Sequence, residues 1–130
     1  MSEIKGRILV VDDELEMRSL LNDFFTSQGY EVFPFDSATD AIGALSPGGR
    51  HAADQELGDI DAIISDIKMP QVDGLEFTAR LQTLRPEIPV ILITAFGSIE
   101  TAIESMKRGA FHYVVKPFKL TEMAVNLERA

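Results

Sequence analysis

Short apolar runs recur along the chain, and each ends close to a polar or charged residue. Four of them are nearly continuous, and the first of these, residues 8–11, is typical of a strand that helices cover on both faces. A fifth run, residues 31–35, contains Pro34, which cannot donate a hydrogen bond to a neighbouring strand and therefore indicates a strand at an edge of the sheet. The four nearly continuous runs are residues 8–11, 60–64, 89–93 and 111–115.

The stretches between these runs carry apolar residues at helical spacing and residues that commonly begin or end helices. Ser37 and Asp73 are suited to cap helix N-termini, whereas Gly29 and Gly109 are suited to end helices. Ser98 should open the fourth helix, whose apolar stripe we interpret as core packing. The apolar positions of the first helix are Leu15, Leu20, Leu21, Phe24 and Phe25, and those of the fourth are Ile99, Ala102, Ile103 and Met106.

Five strands alternating with five helices predict parallel strands, right-handed crossovers and helices on both faces of the sheet. With the second strand at an edge, the expected strand order is 2-1-3-4-5, that of a three-layer, flavodoxin-like (βα)5 domain. A chain of 130 residues fits one such domain. Residues 46–59 contain Pro and Gly and little periodicity, so we expect the least order there, with at most one helical turn at residues 52–57.

Composition excludes several classes of function. The chain has no cysteine and two histidines, so any metal site should use oxygen ligands. A formal charge of -9 opposes binding to nucleic acid, which relies on Lys and Arg. No apolar run approaches the length of a membrane span, and the N-terminus has no apolar signal core. We therefore expect a cytoplasmic protein that binds neither DNA nor membranes.

Five polar residues follow the predicted strands where their carboxyl ends meet at one edge of the sheet: Asp12, Asp13, Asp66, Thr94 and Lys116. Adjacent first and third strands should bring the three aspartates together. At an effective dielectric constant of about 20, two unit charges about 4 Å apart repel by about 4 kcal/mol. A divalent cation would relieve this repulsion, and ligands that are all oxygen favour Mg²⁺.

A carboxylate in this setting can accept a phosphoryl group, because such transfer depends mainly on positioning and charge neutralisation. Asp66 is placed to be the acceptor. Mg²⁺ would bridge acceptor and phosphoryl oxygens, while Lys116 and the Thr94 hydroxyl would contact the remaining oxygens. The small Ala95 leaves room for the group. No residue is placed as a general base for a second substrate, so we expect a phosphorylated switch and not an enzyme that turns over free substrate.

Four segments resemble the signature motifs of two-component response-regulator receiver domains, and the resemblance covers nearly the whole chain. The segments are VVDDE at residues 10–14, DIKMP at 66–70, ITA at 93–95 and VKPF at 115–118. The resemblance implies that Asp66 accepts phosphate from a sensor histidine kinase. It also implies that Asp12 and Asp13 hold Mg²⁺, with the main-chain carbonyl of Lys68 completing the protein ligands.

The same resemblance implies that Thr94 and Lys116 contact the phosphoryl oxygens and that Tyr113 is a switch aromatic, which turns inward as Thr94 moves. The peptide between Lys116 and Pro117 is commonly cis in the family. The fourth helix, fifth strand and fifth helix would form the surface that changes on phosphorylation and often forms a homodimer.

Residues 94–102 and 109–113 are similar to those of the NtrC-type branch, the sigma-54-dependent transcriptional activators. In that branch the receiver precedes an ATPase module and a DNA-binding module, so we expect the N-terminal part of a longer regulator, or otherwise a stand-alone receiver. Three features depart from the pattern: the long connection at residues 46–59, His112 in place of an acid, and Val115 in place of proline or threonine.

Two other functions are compatible with the topology. A phosphatase with an aspartyl-phosphate intermediate would favour an acid two residues after Asp66, where the chain has Lys68. A flavin-binding protein would need Ser, Thr or Gly after the first strand, where the chain has three acids. Within the receiver interpretation, we expect Phe96 to shield the phosphoryl group partly from water.

Overall fold

The computed structural model describes residues 6–45, 60–68, 73–94, 99–116 and 119–129, in which strands and helices alternate. The strands are β1 (Gly6–Val11), β2 (Tyr30–Phe35), β3 (Ala62–Asp66), β4 (Val90–Thr94) and β5 (His112–Val115). The helices are α1 (Leu15–Ser27), α2 (Ala38–Leu45), α3 (Gly74–Leu84), α4 (Ile99–Lys107) and α5 (Leu120–Arg129).

All five strands belong to one parallel sheet of order β2-β1-β3-β4-β5. The predicted strand order is confirmed, including the edge position of β2, where Pro34 needs no second neighbour. Strand β1 lies between β2 and β3, with Val10 opposite Ile64 and Val11 opposite Ser65. This register puts the residues that follow β1 beside the end of β3.

The sheet separates two apolar clusters, because alternate residues of each strand point to opposite faces. One cluster joins Leu9, Val11, Ile63 and Leu92 to α2 and α3 through Ala41, Phe77 and Leu81. The other joins Ile8, Val10, Ile64 and Ile93 to α1 and α5 through Leu21, Phe25 and Met123. Both faces of β1, β3 and β4 are therefore buried, as the apolar run of residues 8–11 predicts for β1, whereas two of the four residues of β5 are exposed.

Helix ends follow the predicted signals. Asp73 Oδ1 accepts a hydrogen bond of 2.8 Å from the amide of Glu76, and Ser37 Oγ accepts one of 3.2 Å from the amide of Asp40. After α1 and α4, Gly29 and Gly109 both have φ of 101°, a left-handed conformation that glycine adopts without strain. The turns that return the chain to the sheet are thus encoded locally.

The prediction that the apolar stripe of the fourth helix packs in the core is wrong for two of its residues. Ile103 and Met106 are 50% and 51% exposed. Helix α4 lies against α3 and β5, and β5 is the outermost strand, so the sheet does not extend beneath the whole helix. In α1, likewise, Leu15 and Leu20 are exposed while Leu21 and Phe25 are buried.

Several predictions fall outside the described residues: the capping role of Ser98, the order of residues 46–59, and every statement about Ala95, Phe96 and Pro117. Among the described helices, none has both the length and the apolar character needed to cross a bilayer.

Candidate functional site

The turn between β1 and α1 holds Asp12 in a defined position. The amide of Asp12 donates to the carbonyl oxygen of Phe35 in β2, and the amide of Glu14 donates to Asp12 Oδ1 at 2.8 Å. Arg18 Nη1 donates to the carbonyl oxygen of Asp12 at 2.7 Å. Asp12 is consequently buried, whereas Asp13 and Glu14 are exposed to solvent.

Asp66 is the last residue of β3 and is only 6% exposed. The backbone just beyond it is held on both sides, since the amide of Ile67 donates to Ile93 and the amide of Gly74 donates to Ile67. A Cβ atom on residue 74 would lie 2.3 Å from the carbonyl oxygen of Asp66. Glycine at the start of α3 therefore allows the helix to pass close to the backbone of Asp66.

Four carboxylates meet at the carboxyl ends of β1 and β3. One oxygen from each of Asp12, Asp13, Glu14 and Asp66 lies within 4.8 Å of the other three. The structure thus brings together the three aspartates that the strand order predicts. Glu14 was not among the predicted site residues, and its place directly after Asp13 is the only signal in the sequence.

Burial makes the carboxyl groups of Asp12 and Asp66 costly to ionise. It raises the pKa of Asp12 from 3.8 to about 6, with a further contribution from the charge of Asp66. It also raises the pKa of Asp66, against the opposing effects of the Lys116 charge and of hydrogen bonds from the amides of Lys68 and Ile67. Within the described residues, Asp12 Oδ2 is buried without a hydrogen-bond partner. An orphaned buried oxygen among acids fits a divalent cation, because the cation would supply the missing charge and contact.

Lys116 is a cationic side chain that lies beside these carboxylates. Its Nζ lies 3.6 Å from Asp66 Oδ2 and 4.0 Å from Glu14 Oε1. The amide of Lys116 donates to the carbonyl oxygen of Thr94 at 2.7 Å, which fixes the end of β5 beside β4. Thr94, the last residue of β4, is 2% exposed. Both predicted phosphoryl-contacting side chains that the structure describes therefore stand at the same edge as Asp66.

The positions of Tyr113 and Lys68 do not test the roles predicted for them. Tyr113 in β5 is half-buried against the cluster that contains Leu92, and its hydroxyl is buried without a hydrogen-bond partner among the described residues. Lys68 is exposed, two residues beyond Asp66. The switch role of Tyr113 and the metal-ligand role of the Lys68 carbonyl stay predictions.

A parallel sheet of this order, with acids clustered beyond β1 and β3 and a lysine beyond β5, defines the receiver class of signalling domains. The family model described as "Response regulator receiver domain" matches residues 8–128, and the chain belongs to this family. It is a receiver domain of the kind found in two-component response regulators.

Similar proteins extend this assignment to the NtrC-type branch. The chain is 36% identical to regulatory protein AtoC of Escherichia coli over 96% of its own length and 25% of that protein. It is 34% identical to the DNA-binding transcriptional regulator NtrC of Proteus hauseri over 97% of its length and 24% of that protein. The chain therefore spans about a quarter of these relatives.

Among solved structures, the chain resembles the beryllofluoride-activated NtrC4 receiver domain dimer. The TM-score is 0.79 at 28% identity, over 95% of this chain and 93% of that one. The predicted flavodoxin-like fold and the predicted resemblance to NtrC-type receivers are both confirmed.

Proposed function

We propose that the chain is a cytoplasmic phospho-acceptor switch, in which Asp66 receives a phosphoryl group from a sensor histidine kinase in a Mg²⁺-dependent reaction. The observation that carries this proposal is the setting of Asp66. Its buried carboxylate lies 3.6 Å from the ammonium of Lys116 and belongs to the same acidic cluster as Asp12, whose Oδ2 has no hydrogen-bond partner among the described residues. Such a group is held rigidly and can still be reached from the edge of the sheet.

Transfer would break the phosphorus–nitrogen bond of a phosphohistidine and form a bond from phosphorus to a carboxylate oxygen of Asp66. Asp12 and Asp13 would hold Mg²⁺ with Asp66 and the Lys68 carbonyl, and the ion would neutralise charge shared between acceptor and phosphoryl oxygens. Lys116 Nζ lies 3.6 Å from Asp66 Oδ2, so a small rotation of its side chain would bring it into contact with a phosphoryl oxygen. Thr94 would hydrogen-bond another oxygen.

The test is phosphorylation by a small phosphodonor such as acetyl phosphate, read by intact-protein and peptide mass spectrometry. We expect the wild type with Mg²⁺ to gain one phosphoryl group at Asp66, and Asp66→Asn to gain none. Asp36→Asn is the matched control, because Asp36 is an exposed aspartate that follows β2 at the same edge and is outside the acidic cluster. Equal labelling of wild type and Asp66→Asn would contradict the proposal.

We further propose that phosphorylation alters the surface formed by α4, β5 and α5 and thereby controls an output module. Exposed apolar side chains lie on all three elements: Ile103, Met106, Val115 and Val125. The related NtrC4 receiver is described as a dimer in its activated form, which supports a homodimer through this surface. The relatives AtoC and NtrC are regulators about four times as long as the matched segment, which supports a role as the receiver part of a transcription activator.

The proposal includes no turnover of free substrate. Lys68 occupies the position where a phosphatase of this chemistry would favour an acid, and no described residue near Asp66 offers a neutral base. When incubated with a generic phosphomonoester, the wild type should release no more phosphate than the Asp66→Asn variant does. Sustained release by the wild type alone would favour the phosphatase instead.

A further inference from the structure

The side chain of Glu14 does not cap α1, although Glu14 is the residue at the N-terminus of that helix. Glu14 is the N-cap residue of α1, with extended φ and ψ of -92° and 121°, yet its carboxylate makes no capping hydrogen bond. N-cap side chains normally accept a hydrogen bond from the first turn of the helix. The carboxylate of Glu14 instead reaches the acidic cluster, where Oε1 lies 4.0 Å from Lys116 Nζ.

A second observation shows that the cluster is more than a group of solvated acids. Asp12 is 1% exposed, and its Oδ2 has no hydrogen-bond partner among the described residues. Asp12 belongs to the group of four carboxylates, in which one oxygen of each residue lies within 4.8 Å of the other three. A buried carboxylate oxygen that has no hydrogen-bond partner among the described residues, in a group of four acids, indicates a site suited to a cation, with the exposed Glu14 on its solvent side.

We propose that Glu14 is a specificity-determining residue of this site, which supplies a fourth carboxylate to a bound cation and favours Ca²⁺ relative to Mg²⁺. The inference rests on the divalent-cation site of the proposed function. Ca²⁺ takes about six to eight oxygen ligands at about 2.3–2.6 Å, whereas Mg²⁺ at about 2.0–2.1 Å keeps several waters and uses few carboxylates. Glu14 would therefore bind Ca²⁺ directly and would contact Mg²⁺ only through a water molecule.

The test compares two charge-equivalent variants, Glu14→Gln and Glu16→Gln. Glu16 is an exposed acid in the first turn of α1 and is not in the cluster. Separate titrations with Ca²⁺ and Mg²⁺, followed through backbone amide signals in two-dimensional NMR spectra, give each dissociation constant without any phosphorylation. The same spectra show that each variant is folded.

We expect Glu14→Gln to weaken Ca²⁺ binding by about tenfold, within the range known for residues that support a metal site, and to weaken Mg²⁺ binding by less than about threefold. Glu16→Gln should change both constants equally and slightly, because it alters only a screened, long-range charge. An equal loss for both cations in Glu14→Gln, or the same change of selectivity in Glu16→Gln, would overturn the inference, as would a wild type that binds Mg²⁺ without detectable Ca²⁺ binding. A wild type that binds neither cation would instead overturn the proposed function.

Discussion

The ammonium of Lys116 lies 3.6 Å from Oδ2 of Asp66, so the proposed acceptor is already paired with a cation before any phosphoryl group arrives. Both groups are largely withdrawn from solvent, with side-chain exposures of 19% and 7%. Burial raises the pKa of Asp66, and the charge of Lys116 opposes that rise. Lys116 thus favours the ionised form of Asp66 and is also close enough to contact a transferred group.

Replacing Lys116 with Met should raise the pKa of Asp66 above its wild-type value, because the variant removes the charge that opposes the effect of burial. The pKa can be followed by NMR of carboxyl-labelled aspartate in metal-free buffer. Phosphorylation by acetyl phosphate should also slow, by about a hundredfold, as for the loss of one preorganised contact to developing charge. Lys119→Met is the control, since Lys119 is exposed and precedes α5. An unchanged Asp66 pKa in Lys116→Met would show that the pair does not interact in solution.

The pKa of Asp12 makes the stability of the metal-free protein depend on pH. Its folded-state pKa of about 6 is above the ordinary value of 3.8, so the folded state binds the proton more tightly than the unfolded state does. The stabilising contribution is therefore complete below about pH 4 and is lost as pH rises through about 6. The difference between these two pKa values corresponds to a decrease of about 3 kcal/mol in the free energy of unfolding.

Asp12→Asn isolates this contribution, because it keeps the shape of the side chain and removes its titration. We expect the free energy of unfolding of the variant, minus that of the wild type, to increase by about 2–3 kcal/mol between pH 4 and pH 7. Urea denaturation of both proteins in the presence of EDTA, at pH 4 and at pH 7, measures this difference. Added Mg²⁺ should restore stability to the wild type mainly above pH 6. Parallel pH profiles for the two proteins would contradict the prediction.

Gly74 should tolerate no side chain. In Gly74→Ala the new Cβ would lie 2.3 Å from the carbonyl oxygen of Asp66 and 2.8 Å from Cα of Ile67, and backbone atoms cannot move aside as a flexible side chain can. We expect a loss of about 1–3 kcal/mol in the free energy of unfolding, together with slower phosphorylation, because Asp66 is displaced.

Gly43→Ala provides the matched control, since Gly43 lies within α2 and a Cβ there meets nothing within 4 Å. That substitution should stabilise the protein by about 0.5–1 kcal/mol, from the higher helix propensity of Ala. If Gly74→Ala were as stable as the wild type and equally active, the close approach behind Asp66 would have no functional meaning.

The strand order and the acidic edge could be predicted because each depends on a local signal. Pro34 identifies the edge strand, and the nearly continuous run ending at Val11 identifies a strand buried on both faces. Once β1 and β3 are neighbours, the residues after Val11 must lie beside Asp66, as the register shows. Capping by Ser37 and Asp73 is local in the same way.

The features that could not be predicted depend on what surrounds a residue. Helical periodicity shows that Ile103 and Met106 share a face, and the predicted strand order places β5 at an edge of the sheet. Neither shows that this face of α4 is left uncovered. The close passage of Gly74 behind Asp66 depends on the path of α3. Whether Glu14 caps its helix or reaches the cluster depends on the direction of a long side chain.

The exposed face of α4 leads to a prediction that separates stability from assembly. Ile103→Ser should change the free energy of unfolding by less than about 0.5 kcal/mol, because Ile103 is 50% exposed and the two residues have similar helix propensities. Leu81→Ala, at a fully buried position of α3, should cost about 2–5 kcal/mol. Urea denaturation compares the two variants.

The same Ile103→Ser variant should weaken self-association of the phosphorylated protein if the surface of α4, β5 and α5 forms the proposed dimer. Sedimentation with and without acetyl phosphate and Mg²⁺ measures this, with Leu20→Ser as a control at an exposed apolar position on α1. A loss of association in Leu20→Ser and not in Ile103→Ser would place the dimer on α1 instead. A large loss of stability in Ile103→Ser would mean that α4 packs more deeply in solution, because removing an exposed side chain cannot leave a cavity.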